Sequence, residues 1–303
     1  MKVLVTGGSG YLGTHVRKFF NADDFSRSSG LDVLSGYDAQ RVADYDVVIH
    51  LAAYLDKDPA NAEAVFLTNV EGTVNLLKNV RKDAVFVFAS TKDVYHRFAD
   101  NYSEVPESCQ TLYSGQSALE WSKLIAERYV DYYAAQIGFR ACIFRLSNVY
   151  APMTEGTAPN FVGHFADAIN RGEPIRLPGG GRPRRDLLYV DDLSSACAAF
   201  ADSVIRSGTY NLGGGPQNAL TLIELVETME RLSGLQAVID RERPLPAPAP
   251  FNYVSDLGLC EYELGWKPAV DIETGLARLF APSVVHETVE LVPEQYTSEG
   301  EVD

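Results

Sequence analysis

Short apolar runs of strand length alternate with helical patterns along the first half of the chain. The apolar runs fall at residues 2–6, 46–51, 84–89 and 139–146. Runs that are apolar at most positions are typical of parallel strands buried on both faces. Helical patterns lie between them at residues 11–21, 59–80 and 115–136. This alternation predicts an α/β fold with a doubly wound parallel sheet.

The pattern changes after about residue 150, where prolines and glycines become frequent. Helical patterns continue at residues 160–171, 192–204 and 222–233. The shift in composition predicts a second, smaller C-terminal domain. From residue 281 onward the chain has six acidic residues and no Lys or Arg. We therefore expect residues 281–303 to form an acidic tail without a catalytic role.

The composition narrows the range of partners. Of the 303 residues, 46% are hydrophobic and 22% charged, and 41 acidic against 26 basic residues give a net charge of −15. This balance argues against a nucleic-acid partner or an anionic membrane surface, because both attract clustered positive charge. The four cysteines lie far apart, and the five histidines show no metal-ligand spacing. We expect reduced thiols, a cytoplasmic location and no bound metal.

A glycine-rich turn follows the first predicted strand. Residues 6–13 read TGGSGYLG, which satisfies G-x-G-x-x-G and also the wider spacing of Gly7, Gly10 and Gly13. Glycines let the backbone turn sharply and approach a pyrophosphate at a helix N-terminus. The turn predicts a dinucleotide site whose contacts are Gly7, Gly10, Tyr11, Leu12 and Gly13. The alternative is a glycine-rich turn that binds no ligand.

The choice between NAD and NADP depends on the segment after the second strand, which reads DDFSRSS at residues 23–29. An acidic side chain there accepts hydrogen bonds from the adenosine ribose, whereas an arginine pairs with a 2′-phosphate. Ser26 and Arg27 fall near this position and lean the prediction toward NADP. The alternative is that Arg27 lies on the surface and that Asp24 or Asp32 contacts the ribose.

Several further motifs occur in the order of a known family. They are VIHLAA at 48–53, NVEGT at 69–73, STKDVY at 90–95, SKLIAE at 122–127, RLSNVYAP at 145–152, RDLLYVDD at 185–192, YNLG at 210–213 and LGWKP at 264–268. Together with the glycine turn, they make the chain resemble the extended short-chain dehydrogenase/reductases, the NAD-dependent epimerase/dehydratase family that acts on nucleotide sugars. The resemblance covers residues 1 to about 280.

The resemblance implies an architecture and an assembly. Residues 1–152 and 187–213 would form an NAD(P)-binding Rossmann domain, and residues 153–186 and 214–280 a smaller C-terminal substrate-binding domain. Family members commonly form homodimers through two long helices, here those predicted at 59–80 and 115–136. The partner that the resemblance implies is a nucleotide-diphosphate sugar.

It also implies roles for single residues. Leu51, Ala52 and Ala53 would line the cofactor. Thr91 would hydrogen-bond a sugar oxygen, and Lys123 would hold the nicotinamide ribose and lower the pKa of a catalytic phenol. The diphosphate contacts would be Asn148 and Arg185. For Arg185 the physical reason is that a fixed guanidinium matches the geometry of a phosphate. The alternatives are a structural pair of Arg185 with Asp186 and a loop-capping role for Asn148.

One position departs from the family pattern. The catalytic tyrosine should stand four residues before Lys123, one helical turn away on the same face, and Leu119 is there instead. Asp93 or Tyr113 could substitute as the general base, or substrate or water could supply the proton. The sequence therefore predicts an NAD(P)-dependent epimerase or oxidoreductase with an altered proton-transfer residue. The alternative is a catalytically inactive dinucleotide-binding sensor or scaffold.

Overall fold

The structure, a computed structural model, describes residues 1–111, 116–240 and 250–281. Its strands are β1 Val3–Thr6, β2 Asp23–Phe25, β3 Val47–His50, β4 Val85–Thr91, β5 Arg140–Leu146, β6 Asn148–Tyr150, β7 Pro174–Arg176, β8 Arg184–Tyr189, β9 Ser207–Leu212, β10 Ala219–Thr221 and β11 Val238–Asp240. Its α-helices are α1 Tyr11–Phe20, α2 Gly36–Ala39, α3 Ala62–Phe66, α4 Gly72–Leu77, α5 Ala118–Ile137, α6 Phe161–Arg171, α7 Val190–Asp202, α8 Leu222–Ser233, α9 Gly258–Leu264 and α10 Ile272–Phe280.

Six parallel strands form the main sheet in the order β2-β1-β3-β4-β5-β9. Both faces are covered, as the apolar strands require. Leu4 and Val5 are neighbours on β1 but join opposite cores: Val5 packs in one cluster with Val16 of α1 and Leu193 of α7, and Leu4 in the other with Val130 of α5. The predicted α/β fold with a doubly wound sheet is confirmed.

The strand order reverses between β1 and β3, because the chain builds β2 on one side of β1 and continues on the other. In open parallel sheets this switch point leaves a crevice at the carboxyl ends of the strands, where ligands bind. Thr6 ends β1 and His50 ends β3 at this edge. The strand order alone therefore predicts a ligand site at the carboxyl ends of β1 and β3.

The second half of the chain forms smaller layers. Strands β6, β8 and β10 make one sheet, and β7 pairs with β11 beside α6 and α8. Strand β9 returns to the main sheet next to β5. Residues 187–189 of β8 pair with β6 in the second sheet, and both segments belong to the predicted first domain. The predicted domain division stays a prediction, and residues 282–303 of the acidic tail lie outside the described residues.

The two long predicted helices differ in detail from the expectation. The helix predicted at 59–80 begins as a 3₁₀ turn at Pro59–Asn61 and has a π-helical segment, Leu67–Glu71, between α3 and α4. Helix α5 begins at Ala118 because Ser117 and Glu120 form a capping box, and it ends where Gly138 turns left-handed. Within the described ranges, no helix is long and apolar enough to span a membrane.

Candidate active site

A cavity of about 880 Å³ lies at the switch point of the main sheet. Its wall combines the glycine turn after β1, the segment after β2, the loop after β3, the end of β4, the start of α5 and the residues that follow β5. It therefore connects the predicted dinucleotide contacts with the predicted reaction residues. A single elongated ligand, or two ligands in contact, would fit such a continuous space.

The glycine turn has little room for side chains. Gly7 has a φ of +69°, and a Cβ there would lie 2.8 Å from the amide nitrogen of Ala52. A Cβ on Gly13 would overlap the carbonyl oxygen of Gly7. Gly10 is the N-cap of α1 and provides no side-chain cap, so the first-turn N–H groups beside the cavity are free to bind an anion. This geometry fits a pyrophosphate.

Tyr11 and Leu12 both line the cavity. The hydroxyl of Tyr11 donates to the carbonyl oxygen of Ala151 at 2.6 Å and accepts from the amide of the same residue at 2.8 Å. This phenol therefore ties α1 to the chain beyond β6. Through its hydroxyl the side chain of Tyr11 therefore has a structural role at the cavity wall.

Ser26, Arg27 and Asp32 line the end of the cavity formed by the segment after β2. Asp24 is not part of this wall. Its carboxylate pairs with Arg17 at 3.3 Å and accepts a hydrogen bond from Ser26 Oγ at 2.8 Å. The arrangement argues against Asp24 as the ribose ligand and leaves Ser26, Arg27 and Asp32 as candidates.

The loop after β3 contributes Leu51, Ala52 and Ala53 to the wall. The buried side chain of Asn69 fixes this loop, because it accepts from the amide of Tyr54 at 2.8 Å and donates to the Tyr54 carbonyl at 3.1 Å. Its amide nitrogen also donates to Ser122 Oγ at 2.9 Å. Asn69 is thus a structural residue that joins the loop to α5.

Leu119 and Lys123 lie one turn apart on α5, and both line the cavity. Lys123 Nζ is buried and donates to the carbonyl oxygen of Ala89 at 2.8 Å. Burial lowers the pKa of Lys123 to about 8, although Glu127 opposes this shift. The predicted spacing therefore places a leucine side chain, 7% exposed, beside the amine.

Thr91 and Asp93 lie where β4 ends and also line the cavity. The carboxylate of Asp93 accepts from Lys92 Nζ at 2.6 Å and from Lys57 Nζ at 2.9 Å. Burial acts to raise the pKa of Asp93, but the ammonium groups of Lys92 and Lys57 outweigh it and hold that pKa well below its usual range. Such a carboxylate is a weak proton acceptor, which argues against Asp93 as the general base.

Of the two predicted diphosphate contacts, one lines the cavity and the other does not. Asn148 lines the cavity and donates to the carbonyl oxygen of Asp186 at 3.2 Å. Arg185 is not part of the cavity wall. Its guanidinium donates to the carbonyl oxygens of Arg184 and Phe251, each at 2.7 Å, and of Pro250 at 3.1 Å. The role of Arg185 as a diphosphate contact stays a prediction, and in this structure its guanidinium is bound to main-chain carbonyl groups.

Several wall residues were not predicted from the sequence. They are Ser9, Phe25, Ser28, Leu31, Val33, Leu34, Tyr54, Leu55, Thr68, Leu146, Val149, Pro159 and Phe161, among others. Asn160 also lines the cavity, and it caps α6 because its side chain accepts from the amides of Val162 and Gly163. Tyr113, the other candidate phenol, lies outside the described residues.

The sequence of the chain is similar to that of a known protein family. The sequence model of the NAD dependent epimerase/dehydratase family matches residues 3–213. The chain belongs to this family. The match covers β1 to β9 and therefore every strand of the main sheet. Membership confirms the resemblance on which the expected roles were based.

Characterised members of the epimerase/dehydratase family align over nearly the whole chain. CDP-paratose 2-epimerase of Salmonella typhi is 27% identical, with 92% of this chain and 98% of that protein covered. The dTDP-glucose 4,6-dehydratase of Mycolicibacterium smegmatis is 28% identical, with 91% of each chain covered. These two relatives catalyse different reactions, so membership alone does not select one.

Solved structures of the family share the fold. The UDP-glucose 4-epimerase of Stenotrophomonas maltophila, solved with bound NAD, has a TM-score of 0.80 at 21% identity and covers 92% of this chain and 97% of its own. The RMD protein of Pseudomonas aeruginosa, solved with NADPH, has a TM-score of 0.78 at 20% identity, with 92% and 98% covered. The likeness supports a Rossmann-type fold for this chain.

Proposed function

We propose that the protein is an NAD(P)-dependent epimerase or oxidoreductase that acts on a nucleotide-diphosphate sugar and uses an altered proton-transfer residue. One observation carries this proposal: a single cavity joins the glycine turn to Thr91, Lys123 and Asn148. A protein that only sensed a dinucleotide would not need the last of these. Relatives in the family act on CDP- and dTDP-sugars, which supports a nucleotide sugar as substrate.

Three residues of the cavity wall have specific roles in this proposal. The nicotinamide, when bound, supplies the hydride acceptor and donor. Thr91 hydrogen-bonds the reacting sugar oxygen, and Lys123 holds the nicotinamide ribose. Asn148 contacts the diphosphate, and the N–H groups of Arg185 that do not donate to Pro250 or Phe251 provide a second contact.

The alternative function is dinucleotide binding without catalysis, and Leu119 is the observation that favours it. Incubation of the purified protein with NAD⁺ or NADP⁺ and a panel of nucleotide sugars distinguishes the two. We expect reduced-cofactor absorbance or a new sugar product, detected by chromatography. Dinucleotide binding by calorimetry, with neither signal for any sugar, would support the inactive binder.

We propose NADP as the preferred cofactor, because Ser26 and Arg27 line the ribose end of the cavity while Asp24 is paired with Arg17. Arg27→Ala should weaken NADP binding by roughly 1–3 kcal/mol, the scale of a lost charge-assisted hydrogen bond, and should leave NAD binding nearly unchanged. Calorimetry with both cofactors measures this difference. Arg41→Ala, an exposed arginine outside the cavity wall, is the control, and equal losses for NAD and NADP would refute the assignment.

We also propose a homodimer that pairs through α5 and the helix before it. The support is a set of aromatic side chains on α5 that keep large exposed fractions: Trp121 at 38%, Tyr129 at 40% and Tyr132 at 56%. Light scattering at micromolar concentration should give twice the chain mass. Tyr132→Glu should shift the mass toward the monomer, whereas Tyr262→Glu, at an 87% exposed position on α9, should not.

The cytoplasmic location stays part of this proposal. Cys109, Cys142, Cys197 and Cys260 are buried free thiols, which suits a reducing compartment.

A further inference from the structure

Lys123 is the titratable residue one helical turn after Leu119, which stands where the family has a phenol. Both side chains line the cavity from the same face of α5. The hydrogen-bond acceptor of Nζ is the neutral carbonyl of Ala89, at 2.8 Å. An ammonium ion in this position therefore has no anion in hydrogen-bond contact among the described residues.

The elements packed around Lys123 offer its charge little compensation. On α5, the carboxylate of Glu127 accepts two hydrogen bonds from the guanidinium of Arg145 on β5, at 2.7 and 3.0 Å. It also accepts one from Ser90 Oγ on β4, at 2.5 Å. Its negative charge is therefore already paired with Arg145. On β3, the ring of His50 lies between the hydroxyls of Thr6 and Thr73.

Burial lowers the pKa of His50 to about 3, so its ring is neutral and adds no charge near neutral pH. From β4 the ring of Phe88 lies with its centroid 4.9 Å from Nζ, and this cation–π contact favours the ammonium form. Desolvation nevertheless outweighs it and lowers the pKa of Lys123 to about 8. The neutral amine is then the minor form at neutral pH, and its fraction grows as the pH approaches 8.

We propose that Lys123 itself accepts the proton that the sugar hydroxyl releases, in place of the phenol that Leu119 removes. The inference rests on the proposed function and deepens it. As the sugar is oxidised, the O–H bond breaks and its electron pair forms the carbonyl π bond. The C–H pair leaves as hydride to the oxidised nicotinamide, and the proton forms a new N–H bond on the amine. Reduction in the opposite direction returns the proton from the ammonium.

Two other groups compete for this role. Asp93 is held by two ammonium groups, as described above. Tyr54 also lines the cavity, but its side chain is half-exposed on the loop after β3. Geometry and desolvation favour the buried amine, and the tests below include the phenols as outcomes.

The first test measures the amine without any turnover. The protein is labelled with ¹³C and ¹⁵N in its lysine side chains and titrated by NMR, with Lys123→Met assigning the signal. We expect Lys123 to titrate near pH 8, while exposed lysines titrate near their usual value of about 10.4. A Lys123 midpoint at or above that usual value would overturn the proposal.

The second test separates proton transfer from binding. Lys123→Arg keeps a cation but cannot accept a proton, so kcat should fall by about 10²–10⁴-fold, the usual contribution of a general base. Wild-type kcat should rise with pH through about 8, because the neutral amine is the active form, and the variant should lose this rise. Because Lys123 is also the proposed ribose contact, calorimetry measures the cofactor affinity of the variant separately, and kcat is compared at saturating cofactor. Lys78→Arg, an exposed lysine after α4, is the matched control.

The outcomes of this test separate the role of Lys123 from the proposed function. Retained turnover in Lys123→Arg would overturn the role of Lys123 and leave the proposed function standing. A larger loss of kcat in Tyr54→Phe or Tyr113→Phe than in Lys123→Arg would assign the proton to that phenol and also overturn it. No turnover of any nucleotide sugar by cofactor-loaded wild type would overturn both proposals.

Discussion

Leu119→Tyr is expected to raise turnover of a nucleotide sugar by about 10²-fold, because it places a phenol one turn before Lys123 on the cavity face of α5. An ammonium on Lys123 would stabilise the phenolate and lower its pKa. The turnover rate of the variant should therefore reach its maximum at a lower pH than that of the wild type. Initial rates of reduced-cofactor formation or product formation across pH measure both effects.

Leu119→Phe is the matched control, since it adds a ring of similar shape without the hydroxyl. It should not raise the rate above that of the wild type. An equal gain in both variants would mean that filling the cavity wall, and not proton transfer, limits the reaction. A Leu119→Tyr protein that binds cofactor but gains no rate would show that the departure at residue 119 is not what restrains catalysis.

Glu127→Ala is expected to destabilise the protein by about 3–5 kcal/mol, the cost of leaving a buried charge without its partner. Glu127 and Arg145 are 1% and 5% exposed, and both carboxylate oxygens are used by the guanidinium. The loss also leaves the Ser90 hydroxyl without its acceptor. Urea unfolding at fixed pH measures the difference in free energy of unfolding.

An exposed pair on the same helix provides the comparison. Arg128 and Asp131 lie 3.4 Å apart with exposed side chains, so Arg128→Ala should cost less than about 1 kcal/mol. If the two variants cost the same, the buried pair contributes no more than a surface ion pair. In that case stability would not explain why the motif SKLIAE at 122–127 carries a glutamate at its last position.

Features that depend on local spacing were predictable from the sequence. The glycine turn was readable because its backbone conformation requires glycines within seven residues, and Gly7 has the positive φ expected of such a turn. The common face of Leu119 and Lys123 followed from one turn of helix. Apolar runs predicted the parallel sheet because burial on both faces leaves few polar positions.

Features that depend on distant partners were not predictable. The guanidinium of Arg185 donates to carbonyl groups about 65 residues away along the chain. The weak basicity of Asp93 depends first on Lys92, its neighbour in the sequence, and also on Lys57, which comes from a different loop. The contacts of Arg185 with Phe251 and of Asp93 with Lys57 have no local sequence signal, since each arises only when separate segments pack together.

The π-helical segment Leu67–Glu71 makes the length of this stretch of chain critical. A π turn holds an extra residue, and removing it would rotate α3 by about 100° relative to α4. Asn69 would then lose Tyr54 and Ser122, and the cavity loop would separate from the helix that carries Lys123. Insertions and deletions that accumulate during divergence should therefore fall in the surface loops and spare this helix. A one-residue shortening here would change the active site even if Thr68, the one residue of this segment in the cavity wall, were kept.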